Sequence, residues 1–204
     1  MGTLLLISVF APLVGVLIVG KSQKVARRMT LIIVLLTTAL SGWLAFQLPV
    51  GARQFAVFEV PWWSRSDQTI GLRLSLGLDG LSVWLYALTS LLMVTSVLVS
   101  WNAIDRQAST FYRLLLVLYT GMLGVFTARD LLLFYVFFEA TLIPLFFLIG
   151  IWGHEERRYA AVKFFIFTLA GSVLTFLGLL ALVLWTASYG GEGRITFSIP
   201  ELSD

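Results

Sequence analysis

Glu139 is the residue whose type and position most need a chemical explanation. It stands eight residues into the otherwise uncharged run that starts at Leu131. At 1.5 Å per helical residue that depth is about 12 Å, close to the middle of a hydrocarbon core. An ionised side chain there costs about 2.5–3.5 kcal/mol on insertion scales, so the acid persists only if protonated, paired or turned toward water. Burial raises a carboxyl pKa and a nearby cation lowers it. A carboxyl held between the two takes up and releases protons near neutrality, which is what a proton relay requires. Pro144, five residues on, cannot donate to the carbonyl of Ala140. That predicts a kink and a free acceptor for water beside the acid. The competing reading is a structural glutamic acid, neutral and bonded to a neighbouring helix.

Two further residues could serve such a relay. Lys163 lies within about a turn of the start of its own apolar run. It could tune the Glu139 carboxyl through water, or simply extend its ammonium to the interface. The axial gap between the two is about 12–14 Å, which argues against a direct salt bridge and leaves coupling through water. His154, in the turn Trp152-Gly153-His154-Glu155-Glu156-Arg157-Arg158, could pass protons at the mouth of a path, or be a solvated loop histidine.

The elements that must hold these residues are membrane helices. Of 204 residues 59% are hydrophobic and only 12% are charged, and the mean hydropathy is +0.94. That composition excludes a disordered chain and an ordinary soluble enzyme. With no cysteine, thiolate zinc sites and Cys-ligated iron–sulfur clusters are excluded. A single histidine excludes a bis-histidine haem within the chain. Six runs are apolar enough to span a bilayer: 2–20, 29–50, 81–101, 111–128, 131–152 and 160–186. The fold expected is an all-α polytopic helix bundle forming a single membrane domain over 1–204. Strand-like alternation in 55–60 and 70–77 predicts a short hairpin capping one face, with Trp62 and Trp63 at an interfacial level.

Lys and Arg favour the cytoplasmic side. Loops one, three and five, with their edges, hold nine: Lys21, Lys24, Arg27, Arg28, Arg106, Arg113, Arg157, Arg158 and Lys163. The other side holds five: Arg53, Arg65, Arg73, Arg129 and Arg194. The expected orientation therefore puts the N-terminus and the hairpin outside. Asp79 and Asp130 each precede an apolar run, where helix N-caps belong. Gly121, Gly124 and Ala128, and Thr168, Gly171, Ser172, Thr175 and Gly178, form small-residue stripes that read as packing faces. The polar stretch 188–204, with Gly190, Gly191 and Gly193, reads as an extramembrane loop.

The run Gly77-Leu78-Asp79-Gly80-Leu81-Ser82 resembles a signature of the antiporter-like subunits of respiratory complex I. The fifth span, Asp130-Leu131-Leu132-Leu133-Phe134-Tyr135-Val136-Phe137-Phe138-Glu139-Ala140-Thr141-Leu142-Ile143-Pro144, resembles the span of that family which carries its key glutamate. Trp152-Gly153-His154 and Arg158-Tyr159-Ala160-Ala161-Val162-Lys163-Phe164-Phe165 continue the likeness. The chain is similar to the family of M-type subunits of NADH:quinone oxidoreductase (subunit 4 of NADH dehydrogenase), from about residue 77 to 186. The resemblance implies a proton-translocating membrane-arm subunit without its own redox centre, not catalytic alone. It makes Glu139 the proton relay and Lys163 a base that tunes it. It implies no cofactor or metal in this chain, with flavin, iron–sulfur clusters and quinone on partner subunits. The partners implied are other membrane-arm subunits, the lipid bilayer and protons, with no nucleic acid, in a bacterial inner membrane. Chains of that family are more than twice this length. Their seventh-span lysine and second half-channel are absent from these residues, so the likeness is to an N-terminal portion. The alternative is a subunit of the related multisubunit cation/proton antiporters. A third reading is a structural or assembly protein in which Glu139 carries nothing.

Overall fold

In lipid no water satisfies backbone amides, so long apolar runs must close their hydrogen bonds within helices. The computed structural model describes residues 1–20, 22–47, 54–64, 70–189 and 195–203. Its elements, in order, are α1 (Gly2–Ile18), α2 (Gln23–Phe46), β1 (Phe55–Ser64), β2 (Ile70–Leu78), α3 (Ser82–Ala103), α4 (Ala108–Thr127), α5 (Leu131–Trp152), α6 (Arg157–Tyr189), β3 (Ile195–Thr196) and α7 (Ile199–Ser203). Every expected span is helical. Helices α2 to α6 are each long and apolar enough to cross a membrane, whereas α1 has 17 residues and is shorter than the run 2–20 suggested. It stops because Val19 turns extended, at ψ 110°. The Val19 carbonyl is taken by the Arg113 guanidinium, with Nη2 at 2.6 Å. Helix α6 instead outruns its apolar core at both ends, since Arg and Tyr continue a helix at little cost.

The hairpin forms where alternation placed it. β1 and β2 pair antiparallel, with Phe55 opposite Leu78 and Glu59 opposite Ser75. A bulge falls between Phe55 and Phe58, and Ala56 adopts the left-handed φ of 53° that it requires. Leu76 and Leu78 are buried beneath the sheet. The side chains of Trp62 and Trp63, and the glycines 190, 191 and 193, lie outside the described residues.

The stretch after α6 differs from the loop expected of it. β3 adds to β2 in parallel, with Ile70 opposite Ile195, and α7 follows. The open edge of a two-stranded ribbon is a row of unpaired amides and carbonyls that a further strand can satisfy. The returning segment also grips the start of α5: Leu131 N–H donates to Phe197 O at 2.8 Å and Ile199 N–H to Arg129 O at 2.9 Å.

Loops one, three and five meet on the face opposite the hairpin. Arg27 donates to Ile104 O at 2.7 Å and to Asp105 at 3.0 Å. Ser109 donates to Gly20 O at 2.8 Å, and Trp152 Nε1 to Arg106 O at 2.9 Å.

Helices α1 to α4 are tied by buried hydroxyls. Ser8 and Tyr86 hydrogen-bond at 2.6 Å, Thr38 donates across to Ser90 O at 3.1 Å, and the Tyr119 ring is fully buried beside them. Such polar groups hold membrane helices together where apolar burial gives no preference for protein over lipid. Helices α4 and α5 use small residues instead. A Cβ at Gly121 would meet Thr141 Cγ2 at 2.6 Å, and one at Gly124 would enter the Phe137 ring.

The second stripe departs from its expectation. Of that stripe on α6 only Ser172 is buried, and Gly171 and Gly178 have nothing within 4 Å of a built Cβ. Among the described residues that face packs against no other helix along most of its length.

Both aspartates cap. Asp130 accepts from Leu132 N–H at 2.9 Å and Leu133 N–H at 3.1 Å. Asp79 accepts from Leu81 and Ser82 N–H, while the Asp79 amide donates back to Ser82 Oγ at 2.8 Å. Burial pushes the Asp130 carboxyl above its usual range, and its two amide bonds oppose that shift. A raised folded-state pKa means the fold favours the protonated carboxyl, so this group's contribution is largest at low pH and is lost as pH rises through the raised value. Asp130→Asn keeps an acceptor and removes the charge, whereas Asp130→Ala loses the cap. In thermal melts near neutral pH, Asn should match or exceed the parent, and Ala should fall by about 1 kcal/mol.

Candidate functional site

Helix α5 sets the site by periodicity. Residues four apart lie one above the other on a helix face, so Tyr135 and Glu139 share a face. That face meets α6, where Ser172 and Phe176 are likewise four apart. The Tyr135 and Phe176 rings stand 4.6 Å apart at 33°. Glu139 is half-buried, and its Oε1 is buried with no hydrogen-bond partner. An acceptor in that state, inside an apolar helix pair, is a group that water, a proton or a further cation would stabilise.

The other two candidates stand apart from it. Lys163 is exposed and its ammonium lies 5.7 Å from the centre of the Tyr159 ring on the same helix. It forms no ion pair with Glu139 among the described residues, in keeping with the axial gap read from the sequence. His154 is exposed in the turn between α5 and α6, where its carbonyl accepts from Arg157 N–H at 3.2 Å. Tyr135 escaped the sequence reading, although its i−4 spacing from Glu139 was the available signal. In the sequence Ser172 reads only as one of a stripe of small residues. α5 runs unbroken through Pro144. Among the described residues no three His, Asp or Glu side chains gather as a metal site would need. A cavity of about 460 Å³ opens on the hairpin face, lined by Gln54, Asp79, Ser82, Phe126 and Arg129 among others, and Glu139 does not line it.

Residues 128–203, which include all of α5 and α6, match the family described as NADH:quinone oxidoreductase/Mrp antiporter, TM. The NADH-quinone oxidoreductase subunit M of Pseudomonas aeruginosa is 40% identical over 195 residues, covering 89% of this chain and 37% of that protein. The chain is similar to this antiporter-like family of membrane subunits through α5 and α6. A chain of respiratory complex I from Thermus thermophilus superposes with a TM-score of 0.75 at 31% identity, over 97% of this chain and 38% of that one. A chain of the Mrp complex from Dietzia sp. superposes at 0.71 with 20% identity, over 95% of this chain and 20% of that one, a likeness of fold alone. The chain thus spans under two fifths of the length of the relatives it matches. The resemblance read from the fifth-span motif is borne out, and so is the all-helical membrane fold with its hairpin.

Proposed function

We propose that this chain forms part of a proton-translocating membrane-arm subunit of NADH:quinone oxidoreductase. Electron transfer takes place on other subunits, which carry the flavin, the iron–sulfur clusters and the quinone site. The observation that carries the proposal is the half-buried Glu139 carboxyl, with one orphaned oxygen, inside an apolar span of a chain from the antiporter-like family. Glu139 takes up and releases the proton. Lys163 tunes it electrostatically through water, and His154 serves as a surface proton donor. The working unit includes further membrane-arm subunits and lipid, and this chain is not catalytic alone. The decisive experiment is proton pumping by the assembled complex carrying Glu139→Gln.

We assign the hairpin face to the outside of a bacterial inner membrane, on the nine-to-five split of Lys and Arg across the two faces. The chain has no native cysteine, so introduced ones report cleanly. Ser22→Cys and Asp105→Cys, both exposed, should react with an impermeant maleimide only in inverted vesicles. Gln54→Cys should react only in right-side-out spheroplasts. The reverse pattern would overturn the orientation.

The fold shared with the Mrp complex from Dietzia keeps a second reading in view, a subunit of a cation/proton antiporter. Sodium-driven proton exchange in vesicles lacking NADH and quinone would favour it. Co-purification with flavin- and iron–sulfur-bearing subunits would favour the first.

A further inference from the structure

The cavity of about 460 Å³ on the hairpin face lies where α3 and α5 begin and α4 ends, which is the level of a lipid headgroup. Its volume is that of a small-molecule site. Asp79 and Arg129, of opposite charge, both line it. Among the described residues neither forms an ion pair, with the other or with a third group. Arg129 is fixed in place. Its N–H donates to Ser75 O at 3.0 Å, and its carbonyl accepts from Ile199 N–H at 2.9 Å. Its side-chain stem lies across Gly77, where a built Cβ would meet Arg129 Cδ. Asp79 uses one oxygen, Oδ1, to cap α3 at 2.9 and 2.7 Å, and Oδ2 has no donor among the described residues. Ser82 Oγ accepts from the Asp79 amide at 2.8 Å, and its own hydrogen has no acceptor among them. The cavity thus sets a cationic donor and a hydroxyl donor beside an anionic acceptor, each with bonding capacity left over. Polar groups in that state are stabilised by a partner from outside the chain.

An apolar track starts at the same place. Leu81, next to Ser82, is exposed on α3, as are Leu85, Leu88 and Leu92. Steps of four, three and four residues put them on one helix face. Trp84, 65% exposed beside them, stands at the interfacial level that tryptophan favours. We propose that the cavity and this leucine face together bind one phospholipid with a zwitterionic phosphoethanolamine headgroup. The phosphate accepts from the Arg129 guanidinium and the Ser82 O–H. The ammonium donates to the free oxygen of Asp79, and an acyl chain lies along the leucines. Charge complementarity selects the headgroup. Phosphatidylglycerol offers a phosphate but no cation for Asp79, and a choline headgroup offers a cation with no N–H to donate. An apolar transmembrane helix laid on the same face would leave both charges unpaired, which is costly where water is scarce. This site is independent of the reading of Glu139.

The test uses the assembled complex with the full-length chain, reconstituted in vesicles of phosphatidylethanolamine and phosphatidylglycerol. A trace of either lipid carries a photoreactive diazirine at the glycerol end of one acyl chain, and labelled peptides are located by mass spectrometry. The phosphatidylethanolamine probe should label the start of α3 and the end of α4 severalfold more than the phosphatidylglycerol probe does. Arg129→Gln, which removes the phosphate donor, should lower that labelling severalfold. Asp79→Asn keeps the oxygen that caps α3 and removes the charge, so the two probes should then label alike. Equal labelling by both probes in the parent overturns the proposal, as does unchanged labelling in Arg129→Gln. Absence of label from the start of α3 shows that a neighbouring helix covers this face, and it overturns the proposal too. A preference that survives Asp79→Asn overturns the headgroup assignment, and it can be read even if the arginine variant does not assemble.

Discussion

Glu139→Gln in the assembled complex should lower coupled proton pumping roughly 10²-fold, the lower end of what a positioned proton-transfer group contributes. NADH:quinone turnover should fall with it, because the two are coupled. Glutamine is nearly isosteric and keeps hydrogen-bonding capacity, but it cannot ionise, so the change isolates the charge. Helix α5 should still form, since it is apolar nearly throughout and its cap is at Asp130. NADH oxidation by a soluble artificial acceptor, which bypasses the membrane arm, should stay near normal. Glu139→Asp should retain part of the activity: the acid remains, on a side chain one methylene shorter. Lys163→Ala should do less harm, because Lys163 is exposed and lies over Tyr159 away from the carboxyl. Pumping at the unmodified rate in Glu139→Gln would make the acid structural and end the relay reading.

Gly124→Ala should be a damaging single-carbon addition where α4 meets α5. Its Cβ would enter the Phe137 ring. That ring cannot swing aside freely, because it also packs on Phe10 at 6.2 Å. Overpacking of this kind costs about 1–3 kcal/mol. The helix-propensity gain of Gly→Ala returns only about 0.5–1 kcal/mol, so the sign is destabilising. Gly42→Ala adds the same carbon with nothing within 4 Å and should be neutral or mildly stabilising. The pair reverses the usual expectation that alanine improves a helix. Thermal inactivation of the complex measures both. Adding Phe137→Leu to Gly124→Ala should recover part of the loss, since neighbouring changes couple. Equal melting of the Gly124 and Gly42 variants would show that α4 and α5 do not approach through this glycine.

The sequence made the helices, the hairpin, both caps and the loop-side pattern legible, because each rests on short-range rules: span length, period-two alternation, and an Asp before an apolar run. Glu139 was legible for the same reason, as a charge where lipid permits none. The side chains that its span meets were not. Tyr135 looks like one more aromatic in an aromatic-rich span, and only the α5–α6 crossing brings its ring against Phe176. Two small-residue stripes of similar spacing also behave differently, since Gly121 and Gly124 meet Phe137 and Thr141 while Gly171 and Gly178 meet nothing. Which side of a helix finds a neighbour is decided by topology, and spacing carries no record of it. The fold of 195–203 was hidden for a related reason. A two-residue parallel strand has no periodicity to read, and it exists because β2 offers an edge.

The grip of that strand on the start of α5 has a mechanical meaning. At its hairpin end the helix is pinned through the backbone: Arg129 to Ser75 at 3.0 Å, Leu131 to Phe197 at 2.8 Å, and Ile199 to Arg129 at 2.9 Å. At its far end one exposed side-chain bond, from Trp152 to Arg106 at 2.9 Å, ties it to the loop before α4. Moving the start of α5 along its axis would break all three of these backbone bonds at once. The returning segment thus works as an anchor plate that sets the level at which α5 begins, about 12 Å from Glu139 along the helix.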